Sequence, residues 1–600
     1  MSAVRPSRAK RPDTPTRVRS SGAAPRTHHR MPADTVDIVI VGAGVAGALL
    51  AWRLASVGEG RPPRILVLEG GEEGRSRLDL VGQFARAYPK TPHAPYISKD
   101  NDRFAPSPDS ERDYDQPPVS ADHKDALKSG YERRVGGSTW HWLGHTPRLI
   151  PGDFKMHTRY GVGVDWPISY DDLEPWYCNA EEAIGVAGDN DEWQALLGAH
   201  RSRGFPMQKV WPSYSDLRVS NALRVAGATF EGVPLIPLST PSARNTEAYD
   251  ARPVCAGNSS CVPLCPIGAK YDASVHVKKA RALGVEVRSK CVVSRLEIDA
   301  NGLISRLRYK TWDGAEHEVA ARVVVIAGNA IETPRLLLAS AQSPAEHRVA
   351  NASGLVGCNL MDHLQKAALG LANEPLYPFR GPPATSGIDL LRDGPVRRTR
   401  SAFRISLGND GWSRAGSPYS DLWAAVTGKA TKTPLFGTAL RTYLAKRLRR
   451  QLRLSCSTEV LPSVANRVSL SQKTDALGLP SVSVAFAADG YTKAGLQAAT
   501  AAMGAILDAV GTSERTIDTD FDTYSGAGHL MGTTRMGSDP KSSVVDRECR
   551  SHDHRNLFII GGSTFPTGGT ANPTLTIAAL ALRAADAIHR EILRGNQIAP

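Results

Sequence analysis

The chain of 600 residues lacks a long apolar run and has few cysteines for its length. Its first apolar run, residues 36–52, is shorter than the roughly 20 residues of a membrane-spanning helix, and it contains Asp37 and three glycines. The run also does not match the apolar core of an export signal. Eight cysteines are too few for a disulfide scaffold. We therefore expect no signal peptide, membrane anchor or disulfide framework in this chain. Its 41% hydrophobic and 22% charged residues are typical of a globular protein, and its length suits about two domains.

The net positive charge is small once the first residues are set aside. The formal charge is +13, but residues 1–30 hold seven Arg and one Lys against one Asp, a surplus of +7. Because this stretch has no apolar periodicity, we predict a disordered basic tail over residues 1–34. A nucleic-acid-binding arm is the less favoured interpretation, since neither aromatic residues nor a folded basic motif accompany the charges. A true start at Met31 is the other alternative.

A dinucleotide-binding pattern follows the tail. The β-branched residues 36–41 lead into Gly42, Gly44 and Gly47 and then a helix, and a second apolar strand ends in Glu69. The glycines allow a tight turn and the close approach of a pyrophosphate to the helix N-terminus, and an acidic side chain at this offset can bind ribose hydroxyls. The pattern predicts a Rossmann-like site for FAD or NAD.

The C-terminal part repeats the order of strand, glycine turn and helix. A strand is predicted at 557–560 and a final helix at 577–593, with a glycine-rich turn between them. Because the first strand and the last helix lie at opposite ends of the chain, we predict an α/β fold with an α+β substrate-binding domain inserted into a Rossmann-like domain. Within the inserted region, residues 439–454 are predicted as a basic helix. A solvated face or a partner interface is favoured there over membrane binding.

Five motifs together carry a resemblance to a known family. In chain order they are GAGVAG (42–47), VGGSTWHW (135–142), NAIETPRLLLAS (329–340), GHLMGTTRMG (528–537) and GGSTFPTGGTANPTLT (561–576). With these motifs, the chain resembles the glucose-methanol-choline family of FAD-dependent alcohol oxidoreductases. The resemblance covers residues 36–594 and implies FAD rather than NAD.

The resemblance also implies the site residues. In that family a histidine at the start of an H-x-x-G-T segment faces the flavin, and a second His or Asn opens the last helix. Here these positions are His529 and Asn572. An imidazole can accept the hydroxyl proton while the carbon-bound hydrogen passes to the flavin as hydride, and Asn572 would orient the same hydroxyl. The implied cofactor-binding residues are Gly42, Gly44, Gly47, Glu69, Gly136, Gly137, Ser138, His141, Gly562, Ser563, Asn572 and Thr574.

His141 could hold the flavin in either of two ways. Some relatives join a histidine after the glycine pair covalently to the flavin, and the segment here is similar but not the same. The favoured interpretation is noncovalent FAD with His141 packed beside the isoalloxazine.

Three of the cysteines are clustered. Cys255, Cys261 and Cys265 follow the spacing C-x5-C-x3-C, and nearby Pro and Gly residues can bend the loop so that the thiolates converge. An iron–sulfur cluster is the favoured interpretation. Zinc would require a fourth ligand, for which His276 is the nearest candidate, and a disulfide would leave one cysteine unpaired.

The cysteine segment resembles a subgroup of the same family, the flavoprotein subunits of bacterial membrane-associated sugar and sugar-acid dehydrogenases. In that subgroup three such cysteines hold a [3Fe-4S] cluster, which implies the same role for Cys255, Cys261 and Cys265. Some members have a second cysteine where this chain has Ala256. Three-thiolate ligation does not need that residue.

The resemblance implies a dehydrogenase that oxidises a hydroxyl of a sugar or polyol. Glucose at C1 is the first substrate expectation, and gluconate, sorbitol and fructose follow closely. Electrons would pass from FAD through the [3Fe-4S] cluster to a multihaem cytochrome c subunit, and a small companion subunit would carry the export signal. The implied location is the periplasmic face of the inner membrane, reached only through these partners, with no nucleic-acid partner. The alternative is a stand-alone oxidase that uses O₂.

The domain prediction follows from these assignments. The segments are a tail (1–34), three FAD-binding parts (35–160, 273–350 and 516–600), a mixed segment (161–250), the iron–sulfur loop (251–272) and a substrate-binding domain (351–515).

Overall fold

The computed structural model describes residues 34–56, 62–74, 76–86, 114–115, 130–262, 264–341, 349–409 and 418–596. The predicted tail lies outside these residues except for Asp34, which is the first residue of a strand. The strands of the described residues are β1 (Asp34–Val41), β2 (Ile65–Leu68), β3 (Tyr114–Asp115), β4 (Ala187–Gly188), β5 (Met207–Gln208), β6 (Thr229–Phe230), β7 (Val233–Pro234), β8 (Pro237–Ser239), β9 (Glu286–Arg288), β10 (Cys291–Ile298), β11 (Ile304–Thr311), β12 (Glu316–Ile326), β13 (Leu364–Gln365), β14 (Ala367–Ala372), β15 (Ser386–Ile388), β16 (Phe403–Gly408), β17 (Gln451–Thr458), β18 (Arg467–Thr474), β19 (Pro480–Ala485), β20 (Thr512–Ile517), β21 (Ser525–Gly526) and β22 (Leu557–Ile559).

The first large sheet has the order β10-β11-β12-β1-β2-β9, and β22 also pairs with β12. β1 lies between β12 and β2 and is parallel to both. Its residues Ile38, Val39 and Ile40 are fully buried and point to alternate faces, as expected for a β-branched strand covered on both faces. Strands from the beginning, middle and end of the described chain therefore share one sheet, which agrees with the predicted α/β architecture.

Helices pack on this sheet and on one another. The helix Val45–Ser56 contacts both Thr574–Asn596 and Ser274–Ala282, so the first and last helices of the described chain lie side by side. The other helices are Arg77–Arg86, Met156–Tyr160, Tyr170–Ile184, Asn190–Leu197, Tyr214–Ala226, Glu332–Ala339, Pro418–Val426, Gly437–Arg450 and Gly490–Val510. In the described residues, no helix is both long enough and apolar enough to cross a bilayer.

The second large sheet has the order β20-β14-β17-β16-β15-β8, with β13 and β21 at its margin. Its strands β14, β15, β16 and β17 are antiparallel to their neighbours. One face packs on the helix Gly490–Val510. Along β17, Leu452, Leu454 and Cys456 are fully buried, while the residues between them point to the other face. Three smaller sheets complete the described strands, and the largest of them joins β18, β19 and β3.

The predicted basic helix has different bounds in the structure. The basic helix predicted over residues 439–454 ends at Arg450, and Gln451 begins β17. The local sequence is rich in Leu and Arg and suits a helix, but residues 451–458 alternate in polarity and pair with strands on both sides. Tertiary pairing therefore overrides helix propensity after Arg450. The division into segments given above stays a prediction.

Candidate active site

A cavity of about 590 Å³ is lined by residues of both large sheets. The glycine turn after β1 lines one part, residues 526–530 and 572–574 line another, and β16 and β17 are among the other segments that line it. Predicted site residues that line the cavity are Gly42, Gly44, Glu69, Gly137, Ser138, His141, His529, Gly562, Asn572 and Thr574. The predicted residues Gly47, Gly136 and Ser563 adjoin this lining without being part of it.

Two glycine turns meet at the part of the cavity nearest β1. A Cβ on Gly137 would stand 3.1 Å from the Cα of Gly44, and the N–H of Gly136 donates to the carbonyl of Ala43 at 2.9 Å. The helix Val45–Ser56 begins at this turn, so its N-terminal N–H groups lie at the cavity. A Cβ on Gly44 would meet no atom within 4 Å. This open, glycine-lined helix N-terminus fits the pyrophosphate of a dinucleotide.

Glu69 lies directly after β2 and lines the same part of the cavity. Its carboxylate accepts the N–H groups of Ala43 at 2.8 Å and Gly71 at 2.9 Å. Burial raises the pKa of Glu69, while the two N–H groups and the charge of Arg133 oppose that increase. A carboxylate has about four acceptor positions, so two such bonds leave room for ribose hydroxyls. Its predicted contact with the ribose stays a prediction.

The structure brings the two predicted catalytic side chains together. The amide Nδ2 of Asn572 lies 3.0 Å from Nε2 of His529. On its other side, Nδ1 of His529 lies 2.8 Å from Nδ1 of His363, whose Nε2 lies 2.9 Å from the carbonyl oxygen of Gly569. Sequence reasoning missed His363, because it lies in none of the motifs that carried the resemblance.

The carbonyl at the end of this chain of hydrogen bonds sets the positions of its protons. A carbonyl can only accept, so Nε2 of neutral His363 carries its hydrogen and Nδ1 carries the lone pair. His529 must then donate through Nδ1–H, which leaves the lone pair of its Nε2 on the side of Asn572. Burial lowers the pKa of His529 well below its usual range, and His363 and Arg404 add to the effect. The neutral tautomer of His529 is therefore the one that can accept a proton at Nε2.

Asp362 fixes the backbone that carries His529. Its carboxylate accepts the N–H groups of Ala527 at 3.2 Å, Gly528 at 3.3 Å and His529 at 2.9 Å. The three hydrogen bonds that this buried carboxylate accepts hold the backbone of residues 527–529 in place. Like its neighbour His363, Asp362 was not identified from the sequence.

A polar strip of the second sheet lines a further part of the cavity. Ser406 lies opposite Ser455, and Arg404 lies opposite Ser457 on neighbouring strands. Arg453 lines the cavity at the next same-face position of β17. The Nε of Arg404 donates to the Asp389 carboxylate at 3.0 Å. The alternation Arg-x-Ser-x-Ser at 453–457 is the sequence signal that could have identified this strip.

The relation to known proteins follows from sequence and fold. Two family models described as GMC oxidoreductase match residues 213–365 and 462–581. The fructose dehydrogenase large subunit of Gluconobacter japonicus is 36% identical over 94% of this chain and 99% of its own length. The chain belongs to the GMC oxidoreductase family.

Other relatives agree with this assignment. The 2-methyl-1,2-propanediol dehydrogenase of Mycolicibacterium austroafricanum is 31% identical over 76% of this chain and 80% of its own length. The crystal structure of pyridoxine 4-oxidase from Mesorbium loti matches with a TM-score of 0.60 and 20% identity over 92% of this chain and 99% of that one, which shows a common fold. As a GMC oxidoreductase, the chain is an FAD-dependent enzyme that acts on CH–OH groups. The predicted family, fold class and enzyme class are confirmed.

The GMC assignment gives the cavity its cofactor, and the glycine-lined part is the end that fits FAD. His141 also lines the cavity, with its Nδ1 3.9 Å from the carboxylate of Glu132. Next to it, the indole N–H of Trp142 donates to the carbonyl of Tyr271 at 2.8 Å, which fixes the aromatic segment. The position of His141 beside the flavin, and its noncovalent contact, stay predictions.

The loop that carries Cys255, Cys261 and Cys265, called the cysteine loop below, adjoins the same cavity, since Val262 is one of the lining residues. Cys261 and Cys265 are buried, Cys255 is half-buried, and none of them is in a disulfide. Burial raises the pKa of Cys255, and the neighbouring Cys261 and Cys265 add to it. The buried ammonium of Lys270 donates to the carbonyl of Cys261 at 2.7 Å. Three unbridged thiols beside a buried cation fit the chemistry of thiolate ligands.

The side chains of this loop do not form a metal-binding group among the described residues. Within the described ranges, no group of three or more His, Cys, Asp or Glu side chains is arranged to hold a metal ion. His276, the fourth ligand considered for zinc, packs against Trp52 with ring centroids 4.8 Å apart, and its Nδ1 is bonded to the hydroxyl of Tyr271. The three thiols therefore have the right chemistry to bind an iron–sulfur cluster on this loop, whereas the arrangement of their side chains does not favour one.

Proposed function

We propose that this GMC oxidoreductase is a sugar dehydrogenase that oxidises a hydroxyl of a hexose or polyol. The observation that carries the proposal is the placement of His529 and Asn572 in one cavity, between a glycine-lined FAD end and a polar strip of serines and arginines. Such a strip offers many hydrogen-bond partners to a polyhydroxylated ligand. Fructose ranks ahead of glucose, because the relative that matches over 99% of its length is a fructose dehydrogenase subunit.

His529 and Asn572 divide the work on the substrate hydroxyl. The hydroxyl replaces the present bond between the two side chains and donates to Nε2 of His529, while the Asn572 amide donates to its oxygen. Bound FAD supplies the acceptor for the hydride that leaves the carbon. His529 takes the hydroxyl proton, so the C–O bond becomes a carbonyl without a free alkoxide.

The proposed electron outlet is the cysteine loop. Cys255, Cys261 and Cys265 would hold a [3Fe-4S] cluster, which supplies a one-electron carrier between a two-electron flavin and a haem. The three unbridged thiols, the cavity-lining Val262 between them and the "large subunit" in the relative's name support this part. The proposed partners are a small companion subunit and a multihaem cytochrome c, at the periplasmic face of the inner membrane.

A panel of sugars and polyols with an artificial dye acceptor tests the substrate class. Fructose, glucose, gluconate and sorbitol are compared by anaerobic bleaching of the flavin absorbance and by dye reduction. We expect one or more of them to bleach the flavin, with fructose fastest. If none does and a simple diol such as 2-methyl-1,2-propanediol bleaches it, the sugar assignment is wrong.

Replacing Cys261 by Ser tests the outlet. We expect the wild-type protein, purified without oxygen, to contain iron, and the variant to lose it while its flavin is still reduced by substrate at an unchanged rate. The matched control is Cys358→Ser, a buried cysteine far from the loop in sequence. Iron-free wild-type protein whose reduced flavin reoxidises rapidly in air would instead identify an oxidase that uses O₂.

A further inference from the structure

Residues 422–450 hold all of the net positive charge that lies outside the N-terminal tail. This segment has seven Lys or Arg and no Asp or Glu. After the +7 of residues 1–30 and the +7 of this segment are subtracted from the total of +13, the rest of the chain has a charge of −1. A surplus confined to one segment of a neutral body is a localised charge pattern, not a general property of the surface.

The segment forms an exposed helix pair. The helix Pro418–Val426 contacts Gly437–Arg450, and none of the residues of the second helix is buried. The half-buried residues of the second helix include Leu440, Leu444 and Leu448, at a spacing of four, so its apolar side faces the protein. Its exposed side carries cations. The basic surface is defined as the exposed cations Lys429, Lys432, Arg441, Lys446 and Arg449.

Two large aromatic side chains accompany these charges. Trp423 is 63% exposed and Phe436 is 66% exposed. The N–H of Leu435 donates to the carbonyl of Ala425 at 3.1 Å, so the segment before the second helix returns to the first. Phe436 and Trp423 are next to this hydrogen bond in the chain and therefore lie at the same end of the helix pair. Exposed aromatic residues at the edge of a basic surface are the side chains that anchor proteins at the lipid–water interface.

The helix pair is attached firmly to the body. Arg447 forms an ion pair with Glu514, and Arg450 donates to the carbonyl of Asn373. The outward cations Arg441, Lys446 and Arg449 are exposed. They are held on a rigid helix and do not belong to a flexible tail.

We propose that the basic surface, with Trp423 and Phe436, docks this enzyme directly on an anionic lipid membrane. The opposite charges of the surface and the headgroups supply long-range attraction, and the two rings enter the headgroup layer. Docking of this kind adds a direct membrane contact to any contact made by partner subunits. It does not depend on the identity of the sugar or on the cysteine loop.

Vesicle sedimentation with the full-length, FAD-loaded protein tests the proposal. Vesicles of phosphatidylcholine are compared with vesicles that contain about 30% phosphatidylglycerol, at about 0.1 M and about 0.5 M salt. The test variant is Arg441→Gln, Lys446→Gln and Arg449→Gln combined. The matched control neutralises three exposed lysines elsewhere, Lys155, Lys278 and Lys541. Both variants keep the N-terminal tail, so its contribution is the same in each.

We expect the wild-type protein to bind the anionic vesicles at low salt and the triple test variant to bind about tenfold more weakly or worse. The lysine control should change less than about twofold, and both variants should reduce their flavin at the wild-type rate. Trp423→Ala should remove the binding that survives at high salt. Equal binding by the test and control variants would overturn the proposal. Wild-type protein that binds neither kind of vesicle would also overturn the proposal, even if it binds an acidic protein.

Discussion

At the scale of single residues, the hydrogen bonds around His529 decide which of its nitrogens can accept a proton. The carbonyl of Gly569 fixes the hydrogen of His363 on Nε2, and His363 in turn requires the hydrogen of His529 on Nδ1. Burial lowers the pKa of His363 to about 4, so it is neutral near pH 7 and able to accept. His363 is thus a positioning residue that acts through His529.

Substitutions at His363 separate this role from simple packing. His363→Leu removes the acceptor for the His529 Nδ1–H, and losing a buried hydrogen-bond partner costs about 1–3 kcal/mol. We expect the anaerobic rate of flavin reduction to fall by about tenfold or more, with an altered pH profile. His363→Asn can place an amide oxygen near the same position and should recover most of the rate. Leucine and asparagine variants that are equally slow, with the wild-type pH profile, would reduce His363 to a packing role.

The glycines of the first turn were predicted from a motif whose spacing has a physical meaning, and His529 and Asn572 were implied by the family resemblance. The structure has both of these side chains in the cavity, and their catalytic roles stay predictions. His363 and Asp362 were missed, since their roles come from long-range contacts with residues 527–529 and 569. Contacts between segments more than 160 residues apart leave no local pattern in one sequence. The polar strip of β17 did leave such a pattern, in its alternating serines.

At the scale of elements, the turn between β1 and the helix Val45–Ser56 has two glycines with different requirements. A Cβ on Gly47 would overlap the carbonyl oxygen of Gly42, so the close packing of helix on strand needs glycine there. A Cβ on Gly44 would project into open space at the cofactor end of the cavity. The same motif therefore contains one residue that the fold needs and one that we propose the cofactor needs.

Alanine substitutions distinguish these two requirements. Gly47→Ala should lower the stability of the cofactor-free protein by about 1–3 kcal/mol, because the backbone has to shift. Gly44→Ala should leave that stability within about 0.5 kcal/mol and weaken FAD binding instead. Thermal unfolding without FAD and titration with FAD measure the two effects. If Gly44→Ala binds FAD as tightly as the wild type, the cofactor does not approach this turn.

Element boundaries were predicted less well than element order. The predicted basic helix extended four residues into β17, because Leu and Arg suit a helix locally while β14 and β16 supply strand partners only in the folded sheet. The order of strand, turn and helix in the nucleotide motif was predicted correctly, because adjacent residues specify each of these elements.

At the scale of the whole molecule, three buried histidines make stability depend on pH. Burial lowers the pKa of His276 to about 3 and of His363 to about 4, and it lowers the pKa of His529 well below its usual range. In the unfolded chain these groups have the ordinary value of 6.5. Below that pH the unfolded chain binds protons that the folded chain does not, so acid favours unfolding.

We therefore expect stability to be highest above about pH 6.5 and to fall by roughly 1.4 kcal/mol per pH unit for each histidine between about pH 6.5 and 4. Denaturant unfolding of the FAD-loaded protein across this range measures the slope. His276→Phe, placed away from the active site, should reduce the slope by about one proton. A stability that is flat from pH 7 to 4 would show that these rings are not held neutral.

The arrangement of the whole molecule follows from the two glycine motifs at its ends. Both contribute strands to one sheet, and the region between them supplies the second sheet, whose polar strip faces the cavity. The sequence predicts that the two ends of the chain share one domain, because each end motif is recognised from residues that are adjacent in the chain. The strand pairing within the second sheet joins segments that are distant in the chain, so local sequence patterns do not predict it.

We propose that His529 takes the hydroxyl proton in a cavity that binds FAD and substrate together. Anaerobic stopped-flow reduction of the flavin by the best sugar of the panel tests it most directly, in wild-type protein and in His529→Ala with matched FAD content. We expect the variant to keep its FAD and its flavin to be reduced about 10²–10⁴-fold more slowly than in the wild type. Reduction of the variant's flavin at the wild-type rate would show that His529 does not take the proton.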